Sequence, residues 1–277
     1  MATVDDVALN KVFHDHECAY YDERFGIVHD EASARKAQQE VEELLGETLP
    51  PAAVVLDVGC GTGWFAAGLG RARPDVTVVG LDLSAGMLGK ATEAGATRLV
   101  QGDATRLPFA DSSIDVVVGR GVLHHLPDPL AALVEWRRVV TPDGAVVLSS
   151  EPTPIVEVHG GWLLKGLLRL PGLRGGLPPE DEFWELAAMA ANLHTFTQAD
   201  LADLCRKAGY TDVDIRTSGF AETLLMTASY ASHGHAPDLA ARVPWRQLTD
   251  VGARSDRLVW DRVLPASWRH TLTGRLR

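Results

Sequence analysis

Cysteine is scarce in this sequence of 277 residues, and apolar runs are short. The three cysteines, Cys18, Cys60 and Cys205, have no paired spacing, which indicates reduced thiols and predicts a cytoplasmic protein. The first residues have no apolar signal core, and no stretch approaches the roughly 20 apolar residues that span a bilayer. We therefore expect neither a disulfide scaffold nor insertion into a membrane.

Basic residues are also in the minority, with 26 lysines and arginines against 37 aspartates and glutamates. Nucleic-acid binding depends on clustered basic side chains, so the acidity argues against DNA or RNA as a partner. The charge is uneven, because residues 1–52 are strongly acidic and residues 230–277 are rich in arginine. Two interpretations stay open: two separately solvated surfaces, or packing of the C-terminal stretch on the N-terminal segment.

Apolar runs alternate with amphipathic stretches between residues 50 and 152, which predicts βαβ units and a parallel sheet with helices on both faces. Such sheets bind ligands beyond the carboxyl ends of their strands, so the loops there are the candidate sites. The predicted strands lie at 53–59, 76–84, within 96–104, within 114–126 and at 145–152.

The flanking segments predict further elements. Residues 30–46 have the apolar spacing of a helix, and Thr197 is placed to cap another. The runs "DVDIRTSG" and "ETLLMTAS" then read as a pair of strands. We divide the chain into an N-terminal helical segment (1–49), a main domain (50–229) with an apolar helical insertion (153–195), and a C-terminal extension (230–277).

The first predicted strand ends in "LDVGCGTG", which contains Gly59, Gly61 and Gly63. Their spacing is G-x-G-x-G, which differs from the G-x-G-x-x-G of dinucleotide binders and from the G-x-x-x-x-G-K-[ST] phosphate loop. Glycines still allow a ligand to approach the backbone closely. The loop therefore need not hold a phosphate group.

Two acidic residues end the next strands. Asp82 follows at the end of the second strand, where a carboxylate can accept both hydroxyls of a ribose. Asp103 ends the third strand, where its side chain can accept from an adenine amino group while the amide of Ala104 reaches a ring nitrogen. The pattern predicts a ligand with adenine and ribose.

These motifs resemble, in order and spacing, those of the class I S-adenosylmethionine-dependent methyltransferases. The resemblance covers residues 50–152 motif by motif and residues 196–229 by the order of their elements. The alternative is a Rossmann-like domain that binds NAD or no ligand. It implies an α/β fold, a Rossmann-like doubly wound sheet of seven strands, mostly parallel with an antiparallel closing strand, plus an N-terminal helical lid and a helical insertion. The motifs are "VVLDVGCGTG", "VVGLDLS", "GDATRLPF", "IDVVVGRGVLHHLPDP" and "RVVTPDGAVVLSSEP".

The resemblance also implies S-adenosyl-L-methionine as the cofactor. The side chain of Arg120 would lie by its methionine portion or point to solvent. The implied contacts are Asp57, Gly59, Gly61, Gly63 and Arg120 at the methionine portion, Asp82 at the ribose, and Leu83, Met87, Asp103 and Ala104 at the adenine.

His124 and His125 follow the fourth strand, in "GVLHHLPDP". A neutral imidazole can accept a proton near physiological pH, and methyl transfer needs a base only when the acceptor must lose a proton. On an extended segment the two rings point to opposite sides. We therefore expect at most one of them in the pocket and favour His125 as the base; a structural or cofactor-side role is the alternative.

The N-terminal stretch "FHDHECAYYDERFG" combines histidines, acidic residues and tyrosines. A metal site would require His14, His16 and a carboxylate to converge; a strand would place the two histidines on one face, but a helix would separate them. Because methyl transfer needs no metal, we predict none. The resemblance instead implies a lid, with Tyr20 or Tyr21 near the sulfonium and His14 or His16 near the substrate. The alternative is a capping helix with solvated charges.

The apolar insertion would form the opposite wall of the pocket, with Trp184 as a candidate substrate contact. We predict in-line methyl transfer to a small hydrophobic or aromatic metabolite, as in the ubiquinone, menaquinone and natural-product group of the resembled family. The alternatives are methylation of a peptide or protein side chain and a non-catalytic cofactor-binding subunit. A homodimer is left open.

Overall fold

The computed structural model describes residues 6–155, 193–221, 224, 225, 228, 243, 245–265 and 269–277. These residues build a seven-stranded sheet with the order β3-β2-β1-β4-β5-β7-β6. Neighbouring strands run parallel except β7, which is antiparallel to both β5 and β6. The predicted fold class is confirmed. The strands are β1 Val54–Val58, β2 Thr77–Asp82, β3 Leu99–Gln101, β4 Ile114–Arg120, β5 Val140–Pro152, β6 Val213–Ser218 and β7 Thr271–Leu276.

Helices cover both faces of the sheet. A 3₁₀ turn at Leu123–His125 follows β4, and a π-helical turn at Asp256–Trp260 joins the last two helices. Within the described ranges, no helix has the length and apolar character needed to cross a membrane. The α-helices are α1 Asp6–Glu17, α2 Tyr21–Phe25, α3 Glu31–Leu45, α4 Trp64–Ala72, α5 Ala85–Glu93, α6 Pro129–Val139, α7 Gln198–Lys207, α8 Trp245–Ser255 and α9 Asp261–Val263.

The core forms two apolar layers, because successive side chains of a strand point to opposite faces. In β1, Leu56 packs into the layer that contains Trp136 of α6, whereas Val55 packs into the layer that contains Val41 of α3. Burial on both faces explains why the strands read as continuous apolar runs.

The strand order reverses at β1, since the chain passes from β1 to β2 and β3 on one side and then to β4 on the other. In sheets of this kind the crevice at such a reversal is the ligand site. The loops after β1, β2 and β4 therefore meet at one edge.

The strand predicted within 222–229 is wrong, because Leu224 and Leu225 are helical. The antiparallel strand is instead β7, from the stretch predicted as an extension beyond residue 229. Arg275 of β7 donates to the carbonyl of Leu45 at 3.1 Å, and Arg277 pairs with Glu47. These contacts confirm that the C-terminal stretch packs on the N-terminal segment.

Gly119 in β4 provides a test of the packing between the sheet and α6. A methyl group added at Gly119 would meet two ring carbons of Trp136 at 2.6 Å, and this indole is fixed by a 2.9 Å hydrogen bond from Nε1 to the carbonyl of Ala104. We expect Gly119→Ala to lower the free energy of unfolding by about 2 kcal/mol, measured by urea denaturation. Gly70→Ala in α4 is the control, because a methyl group there meets nothing within 4 Å. Equal stabilities of the two variants would contradict the packing argument.

Candidate active site

The loop after β1 has a left-handed backbone at Gly59, Gly61 and Gly63, with φ values of +69°, +53° and +83° that favour glycine. A Cβ added at Gly59 would lie 2.5 Å from the side chain of Val122, and a Cβ added at Gly63 would lie 2.8 Å from the backbone of Ala91. A Cβ added at Gly61 would meet nothing within 4 Å. The outer two glycines are therefore required for packing. The space beside Gly61 is open to a ligand.

Asp82, at the end of β2, joins two loops. Its Oδ2 accepts the N–H of Gly61 at 2.8 Å, and its Oδ1 accepts the N–H of Ser84 at 2.8 Å. Burial raises the pKa of Asp82, while these two hydrogen bonds oppose that effect. Each oxygen retains a second lone pair, so the carboxylate can still accept the two hydroxyls of a ribose.

Asp57 lies beneath the glycine loop and is only 1% exposed. Its Oδ2 has no hydrogen-bond partner in the part of the chain that the structure describes. Burial raises the pKa of Asp57 to about 7, and the charge of Arg120 opposes this. A buried oxygen without a partner is costly, and an amino group at the methionine end of the predicted cofactor would supply one. Asp57, Gly61 and Asp82 thus fit this cofactor.

The implied adenine contacts lie on the loops after β2 and β3. Oδ1 of Asp103 accepts the N–H and the hydroxyl of Thr105, both at 2.8 Å, so this oxygen shapes its loop. Ala104 is buried, as is Met87 in α5, and Leu83 is half-buried. Their contact with adenine stays a prediction.

Arg120, at the end of β4, is held by two helices. Its Nε donates to Oε1 of Glu40 at 3.3 Å, and its guanidinium lies 4.7 Å from the centroid of the Trp64 ring. Glu40 also accepts the hydroxyl of Ser149 at 2.7 Å. The charge of Arg120 acts on Asp57, and its contact with the methionine portion stays a prediction.

Two aspartates attach the N-terminal segment to the loops that surround the site. Oδ1 of Asp15 in α1 accepts the hydroxyl of Ser84 at 2.6 Å. Oδ1 of Asp22 in α2 accepts the hydroxyl of Thr62 at 2.5 Å, and its Oδ2 lies 2.9 Å from Nε2 of His29. The sequence does not identify these aspartates, because surface carboxylates are common and their partners are distant along the chain.

The candidate residues of the lid separate in the structure. Tyr21 is half-buried at the start of α2, and burial raises its pKa to about 12, with the charge of Glu17 adding to the effect. Tyr20 is 58% exposed, and its place near the sulfonium stays a prediction. His14 is half-buried and His16 is exposed, because residues two apart on α1 face different sides. Contact of His14 or His16 with the substrate stays a prediction.

Three imidazole rings cluster where α1 meets the loop after β4. The ring centroids of His124 and His125 lie 3.8 Å apart, and those of His14 and His125 lie 5.2 Å apart. The expectation that His124 and His125 point to opposite sides is wrong, because they lie on a 3₁₀ turn, which advances three residues per turn, and not on an extended segment.

Glu151 organises this turn and was missed by the sequence analysis. Its carboxylate is fully buried and accepts the N–H groups of Val122, Leu123 and His124 at 2.9, 3.0 and 3.1 Å. Its Oε2 also lies 3.0 Å from Nδ1 of His124. With the proton on Nδ1, Nε2 of His124 is the acceptor. Ser150 has a φ of +60° at a register shift in β5, which brings Glu151 to the turn.

Trp184 and most of the predicted insertion lie outside the described residues. Their role as the substrate wall stays a prediction.

The carboxylate of Asp82 can be tested by binding of S-adenosylhomocysteine, the demethylated product of the implied cofactor. Asp82→Asn removes the charge, and we expect Kd to rise at least tenfold, since a hydrogen bond to a charged group contributes about 1.5–3 kcal/mol. Calorimetry measures the affinity. The control is Asp75→Asn, which changes a surface carboxylate paired with Arg73. An unchanged Kd for Asp82→Asn would refute the ribose assignment.

The packing of α1 should depend on pH through His14. Burial lowers the pKa of His14 from 6.5 to about 4, and the charge of His124 adds to the effect. Because the folded pKa is below the unfolded one, this contribution to stability is complete above pH 6.5 and is lost as the pH falls towards 4. We expect a loss of about 2 kcal/mol between pH 7 and 5, measured by urea denaturation.

The matched variant is His14→Gln, which removes this titration. Its stability should fall less than that of the wild type over the same pH range. Parallel pH profiles of the two proteins would exclude His14 as the source.

Residues 56–148 match the family model of a methyltransferase domain. A demethylmenaquinone methyltransferase of Staphylococcus aureus is 34% identical over 171 residues, which cover 58% of this chain and 69% of that protein. An uncharacterized methyltransferase of Mycobacterium is 38% identical over 125 residues, or 45% of this chain and 48% of the relative. The chain thus spans about half the length of the mycobacterial protein.

Solved structures share the fold. A methyltransferase of Thermotoga maritima has a TM-score of 0.51 at 24% identity, covering 76% of this chain and 86% of that chain. An N-methyltransferase of Haemonchus contortus, in complex with S-adenosylhomocysteine, has a TM-score of 0.61 at 16% identity, covering 100% of this chain and 60% of that one. The similarity to the staphylococcal protein, together with the geometry of the site, shows that this chain belongs to the class I S-adenosylmethionine-dependent methyltransferases. Its cofactor is S-adenosyl-L-methionine.

Proposed function

We propose that the protein transfers a methyl group from S-adenosylmethionine to a small hydrophobic or aromatic metabolite that carries an ionisable hydroxyl group. The observation that carries this proposal is the pairing of His124 with the buried Glu151 at the carboxyl edge of the sheet. The cofactor loop lies at the same edge, beneath a lid formed by α1 and α2. Cofactor, base and cover are therefore neighbours.

The cofactor supplies a methyl group on a sulfonium, which is activated for in-line displacement. The protein must hold the acceptor in line, and positioning can provide most of the barrier reduction. Asp57, Gly61 and Asp82 would hold the cofactor, while Asp15 and Asp22 keep the lid on its loops. A closed lid removes water from the site.

His124 is our first candidate for the base, with Glu151 as its positioning residue. Nε2 of His124 would take the proton of the acceptor hydroxyl, so that the oxygen or a conjugated carbon attacks the methyl group. His125 is the second candidate, because its ring adjoins that of His124. Tyr21, kept neutral by burial, would pack near the sulfonium, and His14 would face the acceptor from the lid.

The acceptor class has two supports. The staphylococcal relative is named for demethylmenaquinone, which favours a quinone-type or related aromatic acceptor. The attachment of the lid by Asp15 and Asp22 disfavours the open groove that a peptide or protein substrate would need.

The free cysteines Cys18, Cys60 and Cys205 suit the reducing conditions of the cytoplasm.

The test combines transfer of a labelled methyl group with variants of the base. Incubation with labelled S-adenosylmethionine and pools of phenols, hydroquinones and peptides should label the aromatic pools, read by mass shift. His124→Asn should lower kcat about 10²–10⁴-fold and leave the Kd of S-adenosylhomocysteine unchanged. Asp75→Asn, which changes a surface carboxylate paired with Arg73, is the control.

Other outcomes discriminate between the alternatives. Labelling of peptides alone would overturn the small-molecule assignment. Cofactor binding without labelling of any pool would favour a non-catalytic subunit. If His124→Asn had near-normal turnover and His125→Asn lost turnover, the role of general base would be assigned to His125.

A further inference from the structure

The C-terminal helices carry a row of exposed apolar side chains that no function discussed above uses. Among the described residues, eight large apolar side chains are exposed, and five of them lie within the 16 residues from 248 to 263. Val251, Leu258 and Val263 have exposures of 60%, 65% and 64%. Contiguous apolar surface of this kind marks an interaction site. We name as the C-terminal stripe Leu248, Val251, Leu258, Val259 and Val263.

The basic residues between positions 248 and 263 are three arginines. Arg254, Arg257 and Arg262 are exposed. Arg254 and Arg262 form no ion pair within the part of the chain that the structure describes. The outer face of these helices is therefore apolar and positive, although the whole chain has a net charge of −11.

Two of the three acidic residues of the same segment point inwards, whereas the side chain of Asp250 is 46% exposed and lies 3.7 Å from Lys36. Asp256 is 2% exposed, and its Oδ1 accepts the N–H of Ala221 at 2.9 Å. Asp261 is half-buried, and its Oδ1 accepts the N–H of Gly219 at 3.2 Å. The fold thus draws two of the three negative charges of this segment inwards, and the third is paired with Lys36.

We infer that the C-terminal stripe docks on an anionic lipid surface. A helix with an apolar face and flanking arginines lies in a membrane interface and is attracted by anionic lipids. The stripe extends over consecutive helical turns, from α8 through the π-helical turn to α9, and its side chains are exposed to solvent. The anchors of protein interfaces are enriched in tyrosine, tryptophan and arginine and poor in leucine and valine, whereas the apolar residues of the stripe are all leucine or valine.

Co-sedimentation of the full chain with vesicles tests this inference without reference to methyl transfer. The protein should sediment with vesicles of phosphatidylcholine and phosphatidylglycerol, and more weakly with phosphatidylcholine alone. Leu258→Glu should reduce binding at least tenfold, and Arg254→Gln should reduce it about fivefold at low salt. Val134→Glu is the matched control, because Val134 is 49% exposed on α6, and it should bind like the wild type.

Three results would overturn the inference. The first is an absence of sedimentation with anionic vesicles. The second is equal loss of binding in Leu258→Glu and Val134→Glu. The third is self-association in solution that Leu258→Glu abolishes, since the stripe would then be covered by a second copy of the chain.

Discussion

The carboxylate of Asp82 is the interaction on which the site depends. It accepts one N–H from the glycine loop after β1 and one from the loop after β2, so the two loops are joined before a ligand binds. The strand order places β1 beside β2, which puts the loops within reach of a single side chain. Desolvation makes this acidic group costly, and the two amide donors offset part of that cost.

Several other carboxylates in this acidic chain have the same role, because each accepts backbone N–H groups that no helix or strand satisfies. Asp30 accepts the N–H of Ser33 at the start of α3, and Asp115 accepts the N–H of Val54 at 2.7 Å. Glu151 accepts three such groups in the turn that carries His124. The acidity of the protein therefore reflects internal loop structure as well as a solvated surface.

The C-terminal stretch completes the fold at a long distance in sequence. β7 inserts between β5 and β6, and it brings Arg275 to the end of α3. The helices that precede it leave their apolar row exposed while their aspartates satisfy backbone groups near β6. The same stretch thus has an inner face that builds the sheet and an outer face available to a partner.

The motifs along residues 50–152 were sufficient to predict the parallel strands, the glycine loop, Asp57 and Asp82, because these features depend on local periodicity and on left-handed backbone positions. Helix α3 was predicted for the same reason, with Gly46 at its end.

Other features depend on tertiary contacts between residues far apart in the chain. Any short strand with a suitable apolar pattern could fill the antiparallel position in the sheet. Only the pairing with β5 and β6 shows that residues 271–276, and not residues 222–229, form this strand. The 3₁₀ turn at His124 depends on a carboxylate 27 residues away, and the placement of α1 and α2 depends on Asp15 and Asp22. Sequence by itself determined the strands between residues 53 and 152 and the cofactor that they suit, since those signals are local. Tertiary structure decided which polar side chains meet, since their partners are separated along the chain.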